Sequence, residues 1–326
     1  MKNILIIGGA GYVGSILIPK LLKKNYQITC FDLMIYGESF LPKSDNLKII
    51  KGDLRNIELL NKLIKGFDFV IHLACISNDP SFELNPELGK SINYDAFEPL
   101  VKRCKDSGVE RFVYASSSSV YGIKDEQDVH EEMSLKPLTD YSKFKVKCEE
   151  ILQKYNSNNF NTTIIRPATV CGYSPRQRLD VIVNILTNLG YHKKEITIMG
   201  GSQLRPNIHI DDMAEAYIKV LETDNKLISG EIFNVGYENQ SVNEIANLVE
   251  KNMPFKISKK IIETNDNRSY HISSKKIFEK LDFSPEKNIS DAVKDLVKVF
   301  EKKLFTNPLT NSIYYNVKKM NEINLK

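Results

Sequence analysis

The chain has 326 residues, 45 basic and 41 acidic, and a formal net charge of +4 spread along its length. That length has room for a large core and, as a prior, about two domains. The longest basic runs are pairs (Lys23-Lys24, Lys193-Lys194, Lys259-Lys260), too weak for a nucleic-acid footprint, and no stretch reaches membrane-spanning length.

In chain order, the first half alternates two periods. Short apolar runs at 3–8 (NILIIG), 27–32 (QITCFD), 47–50 (LKII), 67–74 (FDFVIHLA) and 111–116 (RFVYAS) predict strands buried on both faces. Between several of them, 13–25, 57–64 and 96–105 carry apolar residues at helical spacing, and NTTIIRP at 161–167 predicts a further strand. The alternation predicts an α/β fold, a Rossmann-type doubly wound parallel sheet. The pattern then loosens around GYSPRQR. A helix is expected at 179–189, followed by EITIMGG, a strand end and helix at 208–220, a strand at 230–236, and mostly helices from Ser241 onward. These predict a dinucleotide-type domain over 1–170 with a returning segment at about 206–236. A smaller, mainly helical C-terminal substrate cap is expected from 171–205 and 237–326, with ligand between the two at the carboxyl ends of the strands.

The opening MKNILIIGG breaks into glycines after a short apolar run and has no small-residue cleavage site, so it does not read as a signal peptide. The five cysteines are scattered, without a CxxC pair or ligand spacing to histidine. They predict reduced thiols in a cytoplasmic protein, and no metal.

GGAGYVGS sets Gly8, Gly11 and Gly14 at G-x-x-G-x-x-G spacing, after the first strand and into the first helix. Glycines there allow a tight turn and close approach of a pyrophosphate, whose charge the helix N-terminus stabilises. Asp32 ends the second predicted strand about 20 residues on, where an acid can bind ribose hydroxyls. With no arginine beside it in CFDLM, a 2′-phosphate would meet repulsion, so NAD is expected rather than NADP. Asp53 in KGDLR is expected either to bind the adenine amino group or to cap the helix starting near Asn56.

DYSKFK places Tyr141 and Lys145 on one helix face. A phenol with a pKa of about 10 becomes a base near neutrality only if the phenolate gains roughly 4 kcal/mol, about 1.4 for each of three units. A nearby ammonium and a cationic nicotinamide act in that direction. The serine run ASSSSVYG ends a predicted strand, where a hydroxyl can bond the same substrate oxygen.

With these pieces together the chain resembles the extended short-chain dehydrogenases/reductases, in their nucleotide-sugar epimerase/dehydratase branch. The resemblance rests on GGAGYVGS, GDLR, VIHLA, SINYDAF, YASSSSVYG, YSKFK, RPATVCGYSPR, RPNIHIDDMAEAY and DNRSYHIS, spread over nearly the whole chain. It implies that Ser117, four residues before the tyrosine of VYG, is the catalytic serine beside Tyr141 and Lys145. Ser116 is then a backbone or cofactor neighbour. The related 4,6-dehydratases usually carry Asp-Glu where this chain has Ser118 and Ser119, so sugar dehydration is not expected. It adds Tyr12, Val13, Leu54, Leu73, Ala74 and Pro167 to the cofactor site. On the substrate side it implies Asn93, Ser118, Arg176, Arg205 and Arg268, with Arg178 near the nucleotide or sugar. His209 and Asp212 read as structural. The loop SNDP at 77–80 departs from familiar epimerase loops and is expected to face the sugar.

The activity implied is NAD-dependent epimerisation of a nucleotide-diphosphate sugar, at C4, through a transient ketone. A nucleotide-sugar 4-dehydrogenase or ketoreductase is the alternative, and a non-catalytic NAD sensor on the same fold is the third reading. A homodimer through helices at 85–105 and 139–153, and a role in polysaccharide precursor synthesis, are further implications.

Overall fold

The computed structural model describes residues 2–264, 269–323 and 325. The first half runs β1 (Asn3–Ile7), α1 (Gly14–Lys23), β2 (Gln27–Asp32), β3 (Leu47–Lys51), α2 (Ile57–Leu63), β4 (Phe69–His72), two short helices α3 (Asp79–Glu83) and α4 (Pro86–Lys90), α5 (Phe97–Asp106), β5 (Arg111–Ala115), α6 (Asp140–Tyr155) and β6 (Asn161–Pro167). It continues with β7 (Thr169–Cys171), α7 (Ile182–Lys193), β8 (Glu195–Met199), β9 (Leu204–His209), α8 (Ile210–Glu222), α9 (Asn225–Ile228) and β10 (Ile232–Val235). The last part holds β11 (Glu238–Ser241), α10 (Val242–Lys251), β12 (Ser258–Ile262), α11 (Lys275–Leu281), α12 (Ile289–Glu301) and α13 (Asn316–Ile323).

Seven strands form one sheet in the order β10-β6-β5-β4-β1-β2-β3, every neighbouring pair parallel. The strands are buried on both faces because successive side chains point to opposite sides. Ile4 and Ile6 of β1 join the core on the side of α1 and α8, while Leu5 and Ile7 join the core on the side of α5 and α6. The order of strand addition reverses between β1 and β4, so a crevice opens beyond their carboxyl ends. Two small sheets, β11-β9-β7 and β12-β8, lie outside the main one, and α7, α10 and α12 pack with β8 around a separate core. After β9 the chain returns: α8 packs on α1, and β10 adds the edge strand beside β6.

The segment expected as one helix over 85–105 is broken into α4, a π-helical turn at Ser91–Asp95, and α5. The helix expected from residue 179 begins at Ile182, because Leu179 is packed against Leu296 and Phe300 and Asp180 is held by Arg178. Two arginines sit buried in strands of the main sheet. Arg111 is buried and donates to Val220 O (2.8 Å), Thr223 O (3.0 Å) and Leu221 O, satisfying carbonyls that the C-terminus of α8 leaves open. Arg166 of β6 pairs with Glu149 of α6 (2.6 Å), each side chain 3 % exposed.

Candidate active site

A cavity of about 460 Å³ lies along the carboxyl ends of the sheet. It is lined by Gly8, Gly11, Tyr12, Val13, Gly14, Asp32, Leu54, Leu73, Ala74 and Pro167 of the expected cofactor set. Ser117, Ser118, Tyr141, Lys145 and Arg176 line the same space, with Ser77, Asn78, Asp79 and Pro80 of the SNDP loop.

The glycine loop is held by the acid it was expected to accompany. Asp32 Oδ2 accepts from Ala10 N (3.0 Å) and Oδ1 from Met34 N (2.8 Å), while burial pushes its carboxyl up against those bonds. Gly8 has φ +83° and a Cβ there would lie 2.3 Å from Ala74 N; a Cβ on Gly14 would lie 2.2 Å from Gly9 O. Among the described residues the amides of Tyr12 and Val13 donate to no other group, and they face the cavity from the start of α1. Open amides at a helix N-terminus, a cradle with no room for side chains and an acid at the end of β2 fit a dinucleotide. Gly8→Ala is expected to cost about 1–3 kcal/mol by overpacking, read as a lower urea midpoint, and to weaken NAD binding. An unchanged midpoint would show that the loop yields without cost.

Tyr12 has a second task. Its hydroxyl donates to Gly172 O (2.6 Å) and accepts from Asn184 Nδ2 (2.9 Å), which docks the loop on the segment after β7.

Tyr141 stands in the first turn of α6, whose start is fixed by a reciprocal capping box between Thr139 and Ser142. Lys145, one turn later, donates from Nζ to Ala115 O (2.6 Å) and lies 4.8 Å from the Tyr114 ring centroid and 5.7 Å from that of Tyr141. Burial pushes the Tyr141 phenol well above its ordinary value; the Cys75 thiol and Asp79 add to this, and Arg178 opposes it. Burial therefore opposes the phenolate, and the lysine is not among the groups that most shift it.

The four serines separate into distinct roles. Ser116 is buried and lines the cavity, while its hydroxyl donates to Glu149, inside the Arg166–Glu149 pair. Ser117 faces the cavity, shares a hydrogen bond with Ser119 Oγ (2.9 Å) and accepts from Ser119 N (3.1 Å), capping a short turn at Ser118–Tyr121. Ser118 and Ser119 complete that wall.

Arg176 is buried, its guanidinium 3.4 Å from the Tyr36 ring centroid, and Nη2 donates to Asn316 Oδ1 (2.9 Å). Its Nε and Nη1 have no partner among the described residues, and burial pulls the group down to about 10. Arg178 lines the cavity too and is paired with Asp180 (2.9 Å).

Three expected residues among those described do not line the cavity. Asn93 is buried behind it, its amide bracketing Ile76: Oδ1 accepts from Ile76 N (2.8 Å) and Nδ2 donates to Ile76 O (3.0 Å). Through these bonds it fixes the backbone at Ile76, in the loop that lines the cavity. Asp53 is held by Arg55 (2.6 Å); burial pushes its carboxyl up, but the Arg55 bonds outweigh that and hold it below its usual value. Asn56, not Asp53, caps α2. Arg205 donates to Leu204 O (2.9 Å) and packs on Tyr270, which does line the cavity. Arg268 lies outside the described residues. His209 and Asp212 are structural: His209 Nδ1 accepts from Asp211 N (3.1 Å), and Asp212 accepts from Glu286 N and Lys287 N (both 3.0 Å). His209, Asp211 and Asp295 come together, but Lys287 pairs with both acids.

Sequence reasoning missed Tyr36, Asn316 and Met320, which also line the cavity. The tail residues have no motif, and only the fold brings them there.

A glycine loop, an acid at the end of β2 and a tyrosine–lysine pair on one cleft are the parts of a dinucleotide-dependent oxidoreductase. Residues 4–236 match the model of the NAD dependent epimerase/dehydratase family, and the chain belongs to that family, whose cofactor is NAD. It is 33 % identical over 264 residues to a Bacillus subtilis protein named as an uncharacterized UDP-glucose epimerase, covering 76 % of this chain and 81 % of that one. It is 30 % identical over 258 residues to the dTDP-D-glucose 4,6-dehydratase of Dictyostelium discoideum, covering 72 % of this chain and 58 % of that one. Among solved structures, the UDP-glucuronic acid 4-epimerase of Bacillus cereus, in complex with UDP-glucuronic acid and NAD, superposes with a TM-score of 0.83 at 28 % identity. That match covers 93 % of this chain and all of that one. No helix among the described residues is long and apolar enough to cross a membrane.

Proposed function

We propose that the chain is an NAD-dependent nucleotide-sugar epimerase that oxidises a sugar carbinol, at C4, to a ketone and re-reduces it from the other face. The observation that carries this reading is one cavity wall bearing Ser117, Tyr141 and Lys145, with Ser118 and Ser119 where the resembling dehydratases have an acid pair. Asp79, the carboxylate acting on Tyr141, accepts from Thr139 Oγ1 (2.5 Å), so it is engaged in fixing the start of α6. NAD, when bound, supplies the two-electron acceptor and donor that the ketone intermediate requires.

The chain's own residues handle the proton and the orientation. Tyr141 takes the hydroxyl proton and returns it to the ketone oxygen, Ser117 bonds that same oxygen, and Lys145 keeps positive charge near the phenol. Arg176 presents unpartnered N–H groups suited to phosphate oxygens. We further infer a cytoplasmic homodimer through α5 and α6. Supporting it, α6 carries the half-buried Phe144, whose ring stacks on Tyr94 beside the exposed Lys147.

The test is incubation with UDP-, GDP-, CDP- and dTDP-hexoses and heptoses with NAD, followed at 340 nm and by NMR and mass spectrometry. An isomer of unchanged mass without lasting NADH is expected. A product two hydrogens lighter with accumulating NADH would make it a dehydrogenase instead.

The raised phenol predicts the pH profile. A base must be deprotonated, and raising its pKa leaves less phenolate at neutrality, so kcat/KM is expected to climb between about pH 6 and 9. A flat profile would count against Tyr141 as the titrating base.

A further inference from the structure

The C-terminal segment is the part of the cleft least expected from its position in the chain. It lies beyond the 4–236 span matched by the family, yet Asn316 and Met320 line the cavity together with Asp32, Tyr36 and Leu54. Asn316 is 4 % exposed, and its hydrogen bonds reach both sides of the crevice. On the side of the main sheet, Oδ1 accepts from Tyr36 Oη (2.8 Å) and Nδ2 donates to Ser77 Oγ (2.7 Å). Across from it, Oδ1 also accepts from Arg176 Nη2 (2.9 Å), and its backbone N donates to Asp180 Oδ2 (2.7 Å). One turn further on, Met320 packs on the apolar cluster that includes Leu54, Ile76 and Ile92. The approach to Asn316 is itself fixed. Tyr314 O accepts from Leu179 N (2.9 Å), and the Tyr314 ring packs 5.2 Å from that of Phe305.

We propose that the segment 312–323 forms the outer wall of the dinucleotide site, latched by Asn316, and that NAD leaves only when this wall lifts. The geometry gives Asn316 two effects. It bridges the β2 side to the segment after β7, so the crevice cannot widen without breaking two of its hydrogen bonds, and the segment cannot lift without breaking all four. It also occupies Arg176 Nη2, which turns the free Nε and Nη1 of that guanidinium into fixed donors for a diphosphate. The inference deepens the epimerase reading and rests on it: an enzyme that re-reduces its own ketone gains from keeping its cofactor, whereas a net dehydrogenase must exchange it at every turnover.

The test reads cofactor retention, not turnover. Wild type, Asn316→Ala, Tyr36→Phe and a chain ending at Asn311 are loaded with NAD, separated from free nucleotide, and followed by release of NAD into buffer. Asn316→Ala is expected to release NAD at least about 10-fold faster, and Tyr36→Phe, which removes a single bond to the latch, about 3-fold faster. The shortened chain, checked for folding by circular dichroism, is expected to release NAD at least as fast as Asn316→Ala. Release at the wild-type rate from both Asn316→Ala and the folded shortened chain overturns the latch. A slow-releasing wild type that nevertheless accumulates NADH with a sugar substrate overturns the epimerase reading while leaving the latch in place. A wild type that binds no NAD overturns the latch and the cofactor assignment together.

Discussion

Tyr141→Phe is expected to lower turnover by at least about 10²-fold, close to 2.7 kcal/mol of transition-state stabilisation at about 1.4 kcal/mol per decade. The substitution removes one oxygen and leaves the ring, whose edge meets Phe82 at a centroid distance of 6.4 Å, so the wall of the cleft is preserved. NAD content and affinity are expected to stay at the wild-type level, because the glycine loop, Asp32 and Lys145 are untouched. The burial that raises the phenol sharpens the expectation. A phenol that burial disfavours ionising is one that the positive charge of a bound nicotinamide would assist. Absorbance near 295 nm should therefore show tyrosine ionisation moving to lower pH when NAD binds, and Tyr141→Phe should lack that movement. Unchanged turnover would remove Tyr141 as the base, and with it the proton path on which the epimerase reading depends. Lost turnover with lost NAD would point to a collapsed cleft.

Much of this site is legible in the sequence because its parts are local. The glycine loop needs only seven consecutive positions, and Tyr141 and Lys145 need one helical turn. The first strands are equally plain, since burial on both faces of a parallel sheet demands uninterrupted apolar runs such as ILII at the start of β1. What could not be read is long-range. Nothing within RFVYA says that Arg111 finds the end of α8, 109 residues later at its nearest carbonyl. Nothing in the serine run tells Ser116 from Ser117. Both line the cavity, but only the fold shows that the Ser116 hydroxyl is taken up by Glu149 while that of Ser117 bonds Ser119. Asn93 sits on a π-helical turn, which redirects a side chain without altering the apolar pattern around it. The region after β6 was the least legible part: β12 (SKKII) is exposed throughout, so it has none of the uninterrupted apolar run that marks the main strands.

Glu149→Ala is expected to destabilise the protein by about 3–5 kcal/mol, read as a lower urea midpoint at unchanged slope, because it strands a buried guanidinium. Arg166 gives Glu149 three bonds, from Nε (3.0 and 3.2 Å) and Nη2 (2.6 Å), and a fourth from Nη1 to Tyr121 Oη (2.7 Å). Tyr121 Oη donates onward to Asn234 Oδ1 (2.7 Å), and Ser116 donates to Glu149 from the opposite side. The network thus joins β5, α6, β6 and β10 directly beneath the residues that face the ligand. Taking two charges out of water costs several kcal/mol, and a pair this well bonded only offsets that cost, so net stabilisation is not why such a pair matters. The double variant Glu149→Leu, Arg166→Met tests the distinction. Its stability is expected to recover to near wild type, since apolar groups of similar size leave no charge unpaired. Its turnover is expected to stay low, because Ser116 loses Glu149 and Tyr121 loses Arg166, at the two ends of the turn carrying Ser117, and Tyr121 keeps only its bond to Asn234. Recovery of both would show that Ser117 is positioned by its own bonds to Ser119 and needs no support from the ion pair.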